Sequence, residues 1–201
     1  MTDTTPTGLL TAVETADLDR LHARLVHDAG DLLDIAYRTV DSPLGSLLLA
    51  RTPQGLVRVA FAVQDHDAVL QALSDEVGPR VLEAPGRLDA EARELEEYFA
   101  GRRTGFDLPL DLRLLHGFRR AVVEHLTDIA YGHTASYAAM ATLAGSPRAV
   151  RAVGTACALN PLPLVLPCHR VVRSDGMPGQ YAGGADAKRA LLALETRGLA
   201  A

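Results

Sequence analysis

The chain has 201 residues, of which 48% are hydrophobic and 22% charged, and its formal net charge is −5 at pH 7. This composition supports a packed core in one domain or two small ones, and it excludes a largely disordered chain. No apolar run approaches the roughly 20 residues that a bilayer-spanning helix needs, and the opening MTDTT lacks the basic segment of a signal peptide. We therefore expect a cytoplasmic protein with no membrane partner.

The charge is divided unevenly along the chain. Residues 1–100 carry eight arginines and no lysine against eighteen acidic residues, a balance of −10. Residues 101–201 carry twelve basic residues against seven acidic ones, a balance of +5. A basic half is typical of a polyanion-binding face, but two ordinary domains can also differ in sign. Charge alone leaves both interpretations open.

The first half of the chain predicts a helix, a small sheet and two more helices. Leucines at helical spacing indicate a surface helix over residues 14–29. Apolar and β-branched residues, interrupted by Pro and Gly turns, then predict a three-stranded meander over residues 35–61. Helical patterns follow over residues 67–76 and 89–100. Nothing in this half resembles a catalytic constellation, so its expected role is support.

The second half begins with a long helical pattern across residues 112–135, and two short helices follow. Ser136 is expected to cap the first of them. Ser146 followed by Pro147 predicts the start of the second, over residues 148–158. Two short helices across a glycine-containing turn, with arginines near the start of the second, match a helix-turn-helix. A helical hairpin that binds nothing is the alternative.

The stretch NPLPLVLPCHRVV at residues 160–172 is the candidate for chemistry. Its prolines favour extended backbone before Cys168, which we place on a short turn at the end of the run. The thiolate is the reactive form of cysteine, so Cys168 needs a base, and His169 is its neighbour. On a strand the two side chains would point to opposite faces, so their contact requires a turn or a bridging water. Glu195, on a final helix predicted over residues 185–196, is a candidate to orient the imidazole.

The cysteines and histidines give little support to other site types. Cys157 and Cys168 are the two cysteines, so parity permits a disulfide, although intracellular thiols usually stay reduced. No CxxC or HExxH motif occurs, and the seven histidines are scattered. We therefore expect neither a metal nor another cofactor. A buried inert cysteine beside an incidental histidine is the alternative to a nucleophile.

The motif PCHRV at residues 167–171, preceded by NPLP at 160–163 and RAVG at 151–154, closely resembles the O6-alkylguanine-DNA alkyltransferase family, the methylated-DNA–protein-cysteine methyltransferases. The resemblance covers roughly residues 35–195 and is densest in the second half. It implies direct reversal of DNA damage, in which the thiolate takes the alkyl group from O6 of guanine in duplex DNA, and O4 of thymine is a further candidate. The transfer would be irreversible, with one turnover per molecule, and we expect a monomer.

The resemblance also implies a fold and a domain organisation. The expected fold class is α/β, with a small ribonuclease H-like domain of sheet and helices followed by a mainly helical, winged helix-turn-helix-like domain. Residues 1–31 would form an N-terminal extension without a counterpart in the family. Residues 32–107 would form the supporting α/β domain, and residues 108–201 the DNA-binding and alkyl-accepting domain.

Roles follow for the residues at matching positions. Cys168 would be the alkyl acceptor, His169 a base acting through water, and Glu195 its orienting partner. Tyr137 resembles the tyrosine that donates toward N3 of the leaving guanine, and Asn160 resembles the hinge that joins the helix-turn-helix to the cysteine segment. Backbone carbonyls near the cysteine would read the exocyclic amine of guanine.

The DNA interface and the pocket are likewise implied by the resemblance. The expected DNA-binding residues are Arg151, Arg148, Tyr137, Ala152 and Ser174. The expected pocket residues are Val171, Tyr181, Ala182, Gly183 and Gly184. Arg151 would fill the stack after the target nucleotide is flipped out, a step that costs a few kcal/mol and is offset by inserted side chains and phosphate contacts. Ala158 and Leu159 stand where some relatives carry Arg-Gly, so one DNA contact is expected to be missing.

Two other functions stay open from the residues alone. A helix-turn-helix regulator would use Arg148 and Arg151 to read an operator, and it predicts sequence-specific binding that does not depend on a thiol. A Cys-His hydrolase would turn over repeatedly on an acyl substrate, but it would need an oxyanion hole that the sequence does not identify.

Overall fold

The computed structural model describes residues 15–29 and 32–199. It divides into two compact units, residues 1–32 and residues 33–201. In the first unit, α1 (Thr15–Ala29) confirms the predicted helix over its described part. The leucines that predicted this helix are exposed on it: Leu18, Leu21 and Leu25. The first residue of the predicted helix, like the rest of the N-terminal extension before it, lies outside the described residues.

The second unit begins with a four-stranded sheet and two helices. Its elements are β1 (Ile35–Val40), β2 (Leu47–Thr52), β3 (Gly55–Phe61), α2 (His66–Glu76), β4 (Val81–Glu83) and α3 (Asp89–Phe99). The strand order is β3-β2-β1-β4, antiparallel except for the parallel pair β1–β4. The predicted meander and both helices are confirmed. Strand β4 was not predicted, because three residues are too few to show an alternating pattern.

One face of this sheet packs against α2. Strand residues Ile35, Leu48 and Val57 form a buried cluster with Val69 and Leu73 of the helix. The apolar residues of β2 and β3 run almost without interruption, so both faces of these strands are buried, and side chains on one face form this cluster. The α/β fold class predicted for the chain is confirmed by this architecture.

The second half is mainly helical. Its elements are α4 (Gly117–Glu124), β5 (Ala135–Ser136), α5 (Tyr137–Leu143), α6 (Val150–Ala158), β6 (Val171–Val172) and α7 (Gly184–Gly198). The helix predicted within residues 112–135 is much shorter than its pattern. Gly117 has a φ of +54° and opens α4, and a 3₁₀ turn over His125–Asp128 follows it. Leu126 still reaches the core from that turn, so apolar spacing could not distinguish it from α-helix.

Helices α5 and α6 form the predicted helix-turn-helix, with one correction. Ser136 caps α5 by accepting from the Ala139 N–H at 3.1 Å, as expected. The predicted cap of α6 is wrong, because the helix begins at Val150 rather than at residue 148. Ser146 instead closes a separate turn, in which its carbonyl accepts from the Ala149 N–H at 2.8 Å.

Hydrogen bonds from β3 fix the sheet against the loop that leads to the cysteine. In this loop, the Pro161 carbonyl accepts from the Val59 N–H at 2.9 Å. A second bond, from the Leu56 N–H to the Pro109 carbonyl at 2.9 Å, ties β3 to the segment before α4. On the other side, β5 pairs in parallel with β6, directly after the cysteine. The cysteine segment is therefore held between the sheet and the helix-turn-helix. Among the described helices, none is long and apolar enough to cross a membrane.

A buried cysteine beside a helix-turn-helix

Cys168, His169 and Arg170 form one turn of 3₁₀ helix at the end of the proline-rich run, which confirms the predicted turn. The side chains of Cys168 and His169 are both 0% exposed. Asn160 holds the loop that precedes the turn: its Nδ2 donates to the Leu166 carbonyl at 2.8 Å, and its Oδ1 accepts from the Leu162 N–H at 3.0 Å. A buried amide thus sets the path of the chain into the cysteine.

Glu195 of α7 is the centre of a buried polar group. We call Tyr98, His169, Arg170 and Glu195 the Glu195 cluster. Glu195 Oε1 accepts from His169 Nε2 at 2.8 Å, from Tyr98 Oη at 2.7 Å and from Arg170 Nη2 at 2.9 Å, and Oε2 accepts from Arg170 Nε at 3.0 Å. Burial raises the pKa of Glu195, but the bonds from His169, Arg170 and Tyr98 outweigh it and lower the pKa to about 2. The carboxylate is therefore ionised and matched by one guanidinium.

His169 keeps one ring nitrogen free. Nε2 is bonded to Glu195, whereas Nδ1 is buried and has no hydrogen-bond partner among the described residues. Burial lowers the pKa of His169, and the positive charges of Arg170 and Lys188 act in the same direction, against the opposing effect of Glu195. We infer a neutral ring with its proton on Nε2, because that nitrogen faces a carboxylate. Nδ1 then carries the lone pair that a base requires.

Cys168 rests as a neutral thiol. Burial raises its pKa to about 11, although the hydrogen bond with the Asn160 side chain and the charge of Lys188 oppose the shift. Lys188 is itself fully buried, and its Nζ donates to the Val171 carbonyl at 2.6 Å. The site therefore contains groups that stabilise a thiolate, but forming that thiolate requires a base.

Tyr137 and Arg151 meet in one concave surface. They line a cavity of about 490 Å³ along α6 that we call the helix cavity, with the loop residue Gly179 opposite. Gly179 lies so close to Tyr137 that a Cβ there would overlap its hydroxyl. Burial raises the pKa of Tyr137 to about 12, and its charged form would also be opposed by Cys157 and Cys168. Tyr137 therefore lines the helix cavity and lies within electrostatic range of the thiol.

The other expected DNA contacts lie on the surface around this cavity. Arg148, Ala152 and Ser174 are all exposed. Arg148 lines a separate depression formed by the turn before α6. The structure does not bring these three residues into the helix cavity, and their contacts with DNA stay a prediction.

The expected pocket residues come from the end of the cysteine turn and from the chain around the start of α7. The Tyr181 ring is buried, with its centroid 5.5 Å from the Phe61 ring and 6.2 Å from the His169 ring, both at steep angles. Its hydroxyl has no hydrogen-bond partner among the described residues. A Cβ on Gly183 would lie 2.8 Å from the Phe61 ring, so the loop packs tightly on the sheet. Val171 is buried, Ala182 and Gly183 are partly exposed, and Gly184 is exposed.

Three members of the site were not predicted as functional residues. Arg170 lies within the PCHRV motif, which could have singled it out. Lys188 precedes Glu195 by seven residues on the buried face of α7, so the helical period could have singled it out. Tyr98 comes from α3, in the half that was expected to give support, and its bond to Glu195 brings that support into the site. No local pattern links Tyr98 to a carboxylate 97 positions away.

Neither a disulfide nor a metal cluster occurs in the part of the chain that the structure describes. Cys157 and Cys168 are both free and buried, and burial raises the pKa of Cys157 to about 12. No group of three or more His, Cys, Asp or Glu side chains there could hold a metal ion.

Comparison with known proteins gives consistent matches to both halves. The model of the 6-O-methylguanine DNA methyltransferase ribonuclease-like domain matches residues 35–112, and that of the DNA binding domain matches residues 117–197. A methylated-DNA–protein-cysteine methyltransferase of Mycolicibacterium paratuberculosis is 41% identical over 163 residues, covering 81% of this chain and 93% of the relative. The solved O6-methylguanine methyltransferase of Mycobacterium tuberculosis has a TM-score of 0.70 and 38% identity over 81% of this chain and 93% of that one. A further structure holds the same organism's protein, there called OGT, in complex with DNA, with a TM-score of 0.70 and 38% identity over 81% of this chain and 94% of that one.

The first half of the chain matches a ribonuclease-like domain and the second half a DNA-binding domain, and the buried cysteine lies in the second half. The chain belongs to the 6-O-methylguanine DNA methyltransferase family, as the resemblance of its PCHRV motif implied.

Proposed function

We propose that this protein repairs duplex DNA directly, by moving the alkyl group from O6 of guanine to Sγ of Cys168. The observation that carries the proposal is the bond between His169 and Glu195, at 2.8 Å, directly after a buried thiol. This bond leaves Nδ1 of His169 as the ring nitrogen that can accept a proton. O4-alkylthymine is a second candidate substrate of the same chemical type.

The proposed transfer is a single displacement. His169 Nδ1 takes the Cys168 proton through a bridging water, and the asparagine amide and Lys188 stabilise the thiolate. The Sγ–C bond forms as the C–O6 bond breaks, and the bonding pair stays on the guanine oxygen. Tyr137 donates toward N3 of the leaving base, and the base takes up one proton in place of the one that Cys168 gave up, so that protons and charge balance. The products are S-alkylcysteine and unmodified guanine, so each molecule acts once.

Substrate entry requires movement around the cysteine. Cys168 is 0% exposed, and Tyr137 lies on the side toward the helix cavity, where Arg151 also lies. We infer that the nucleotide is flipped past Tyr137 while Arg151 fills the space it leaves in the stack. A lesion that pairs poorly costs less to extrude, which favours damaged over intact guanine without any reading of the flanking sequence.

The experiment is incubation with an oligonucleotide duplex containing O6-methylguanine, followed by the mass of the intact protein. The expected result is the addition of one methylene mass at Cys168, absent from Cys168→Ala and retained in Cys157→Ala, whose thiol is also buried. No adduct on the wild-type protein would overturn the proposal. Sequence-specific binding that survives Cys168→Ala without any adduct would favour a regulator instead.

The proposed function leads to predictions of the substrate class, the oligomeric state and the location of the protein. The substrate class is double-stranded DNA with O6-alkylguanine, and the protein is expected to act as a monomer. Its predicted location is the cytoplasm, at the nucleoid while it is bound to DNA.

A further inference from the structure

A second cavity, of about 370 Å³, lies where the sheet meets the end of α6, and we call it the junction cavity. Arg58 of β3 and Arg119 of α4 line it, together with Glu76 at the end of α2. Ala158 and Leu159 line both the junction cavity and the helix cavity. The two cavities therefore share a wall at the C-terminal end of the helix that carries Arg151.

Arg58 is a cation with an unmet donor. Its Nε is buried and has no hydrogen-bond partner among the described residues. Burial also lowers the pKa of Arg58, and the Glu76 carboxylate opposes this only in part. A guanidinium N–H that has lost water without gaining a partner is costly, so an anion placed to accept from Nε would be bound favourably.

Arg119 is a second cation at the same cavity, and it is exposed. The next residue on α4, Arg120, is paired with Glu124 at 2.8 Å. No ion pair of Arg119 occurs in the part of the chain that the structure describes. With two guanidinium groups and one carboxylate, the junction cavity has a net positive charge.

We propose that the junction cavity binds a backbone phosphate of the DNA strand that runs along α6, through the guanidinium groups of Arg58 and Arg119. The inference rests on the proposed function, because it needs DNA on the α6 surface. Guanidinium groups match phosphate oxygens in geometry and charge, and a strand that leaves the helix cavity past Leu159 enters this one. The sheet half then contacts DNA directly, through Arg58 of β3.

The test is the salt dependence of binding to an undamaged duplex, followed by fluorescence anisotropy. Each phosphate contact contributes about one unit to the slope of log K against log salt. Arg119→Gln and Arg58→Gln are therefore each expected to reduce the slope by about 1 and to weaken binding about tenfold at low salt. Glu76→Gln is expected to tighten binding, because it removes a like charge from the site. Arg120→Gln is the matched control, and its slope should equal that of the wild type.

Two results would overturn the inference. One is an unchanged slope in Arg119→Gln together with unchanged affinity in Glu76→Gln; both residues are exposed, so this arm stands even where Arg58→Gln fails to fold. The other result is that the cavity binds a free anion and not DNA. Inorganic phosphate would then raise the melting temperature of the wild type but not of Arg119→Gln, while the salt slopes of DNA binding would be equal in the two proteins. If the wild type acquires the methyl adduct in either case, the proposed function stands and this inference alone fails.

Discussion

Glu195 shows how a carboxylate can remain charged without water around it. Arg170 supplies the counter-charge, and Tyr98, His169 and the Gly132 N–H fill the remaining acceptor positions, the last at 2.9 Å. Because Arg170 neutralises it, Glu195 fixes the orientation of the His169 ring without making that ring strongly basic. A weak base with a free Nδ1 suits a proton relay near neutral pH.

Glu195→Gln should destabilise the protein in a pH-dependent way. At neutral pH the variant leaves Arg170 buried without a counter-charge, a loss of about 3 kcal/mol in the free energy of unfolding. The pKa of Glu195 is lowered to about 2 in the folded protein, below its unfolded value of about 4.3. Its contribution is therefore present above about pH 4.3 and is lost as the pH falls toward about 2.

The measurement is urea denaturation of both proteins from neutral pH down to about pH 3. The difference in unfolding free energy should shrink as the pH falls. A difference that stays constant over this range would mean that the Glu195 carboxylate is not the titrating group.

Tyr98→Phe should change the pH profile of the reaction while leaving DNA affinity unchanged. Without the 2.7 Å bond from Tyr98, the negative charge of Glu195 acts more strongly on His169, and the pKa of His169 rises. The acid limb of the alkyl-transfer rate should then move to higher pH, with a rate about tenfold lower below neutrality. Single-turnover rates on an O6-methylguanine duplex measure this. The neighbouring Phe99→Leu serves as a control, and an equal loss at every pH would indicate general disruption instead.

At the scale of elements, the proline-rich loop and the cysteine turn act as one unit. Leu164 has a φ of +75°, which a non-glycine residue adopts only when the surroundings hold it there. Asn160 provides that restraint through its two bonds to the loop backbone. The placement of the thiol therefore depends on an amide eight residues earlier in the chain.

Asn160→Ala should lower the free energy of unfolding by about 2 kcal/mol, because both buried backbone partners lose their bond. It should also slow alkyl transfer, since the amide no longer stabilises the Cys168 thiolate. Asn160→Asp keeps the acceptor for Leu162 but loses the donor for Leu166 and adds a negative charge near the sulfur. Its transfer rate should therefore be lower than that of Asn160→Ala. Chemical denaturation and single-turnover kinetics separate the two effects, and equal rates in the two variants would count against a role for the amide at the thiolate.

Elements with a clear period could be predicted from the sequence, and short or irregular ones could not. The meander follows from apolar and β-branched runs between Pro and Gly turns, and the capped helix α5 follows from the serine directly before its first residue. The start of α6 was misplaced because Ser146 and Pro147 fit a helix start and a tight turn equally well. The choice between them depends on tertiary contacts that no local pattern contains.

For the whole molecule, the site depends on contacts between both halves of the chain. The sequence motif identified Cys168 and His169, and the predicted final helix made Glu195 a candidate to orient the imidazole. Tyr98 and Phe61 belong to the acidic half and close the site from the sheet side. Contacts between residues so far apart in the chain depend on the topology of the fold. The charge difference between the halves could therefore suggest a DNA-facing surface, but it could not predict that residues of both halves enclose the cysteine site.

This enclosure predicts slow thiol chemistry in the free protein. With its pKa raised to about 11, Cys168 has about 100-fold less thiolate at neutral pH than an ordinary cysteine. Iodoacetamide should therefore modify neither Cys168 nor Cys157 on the timescale of a model thiol, whereas both should react in denaturant. Peptide mass mapping gives the result, and rapid labelling of native Cys168 would show that the site is open at rest.

The bond between Tyr98 and Glu195 also limits how such proteins can be recombined. A chimera that takes its first half from one relative and its second from another receives the nucleophile and its base together, because Cys168 and His169 are adjacent in the chain. It does not automatically receive a tyrosine at position 98 that donates to the Glu195 carboxylate. Chimeras are therefore expected to be active where both parents have a hydroxyl at position 98. Where one parent lacks it, the chimera is expected to fold but to transfer the alkyl group slowly.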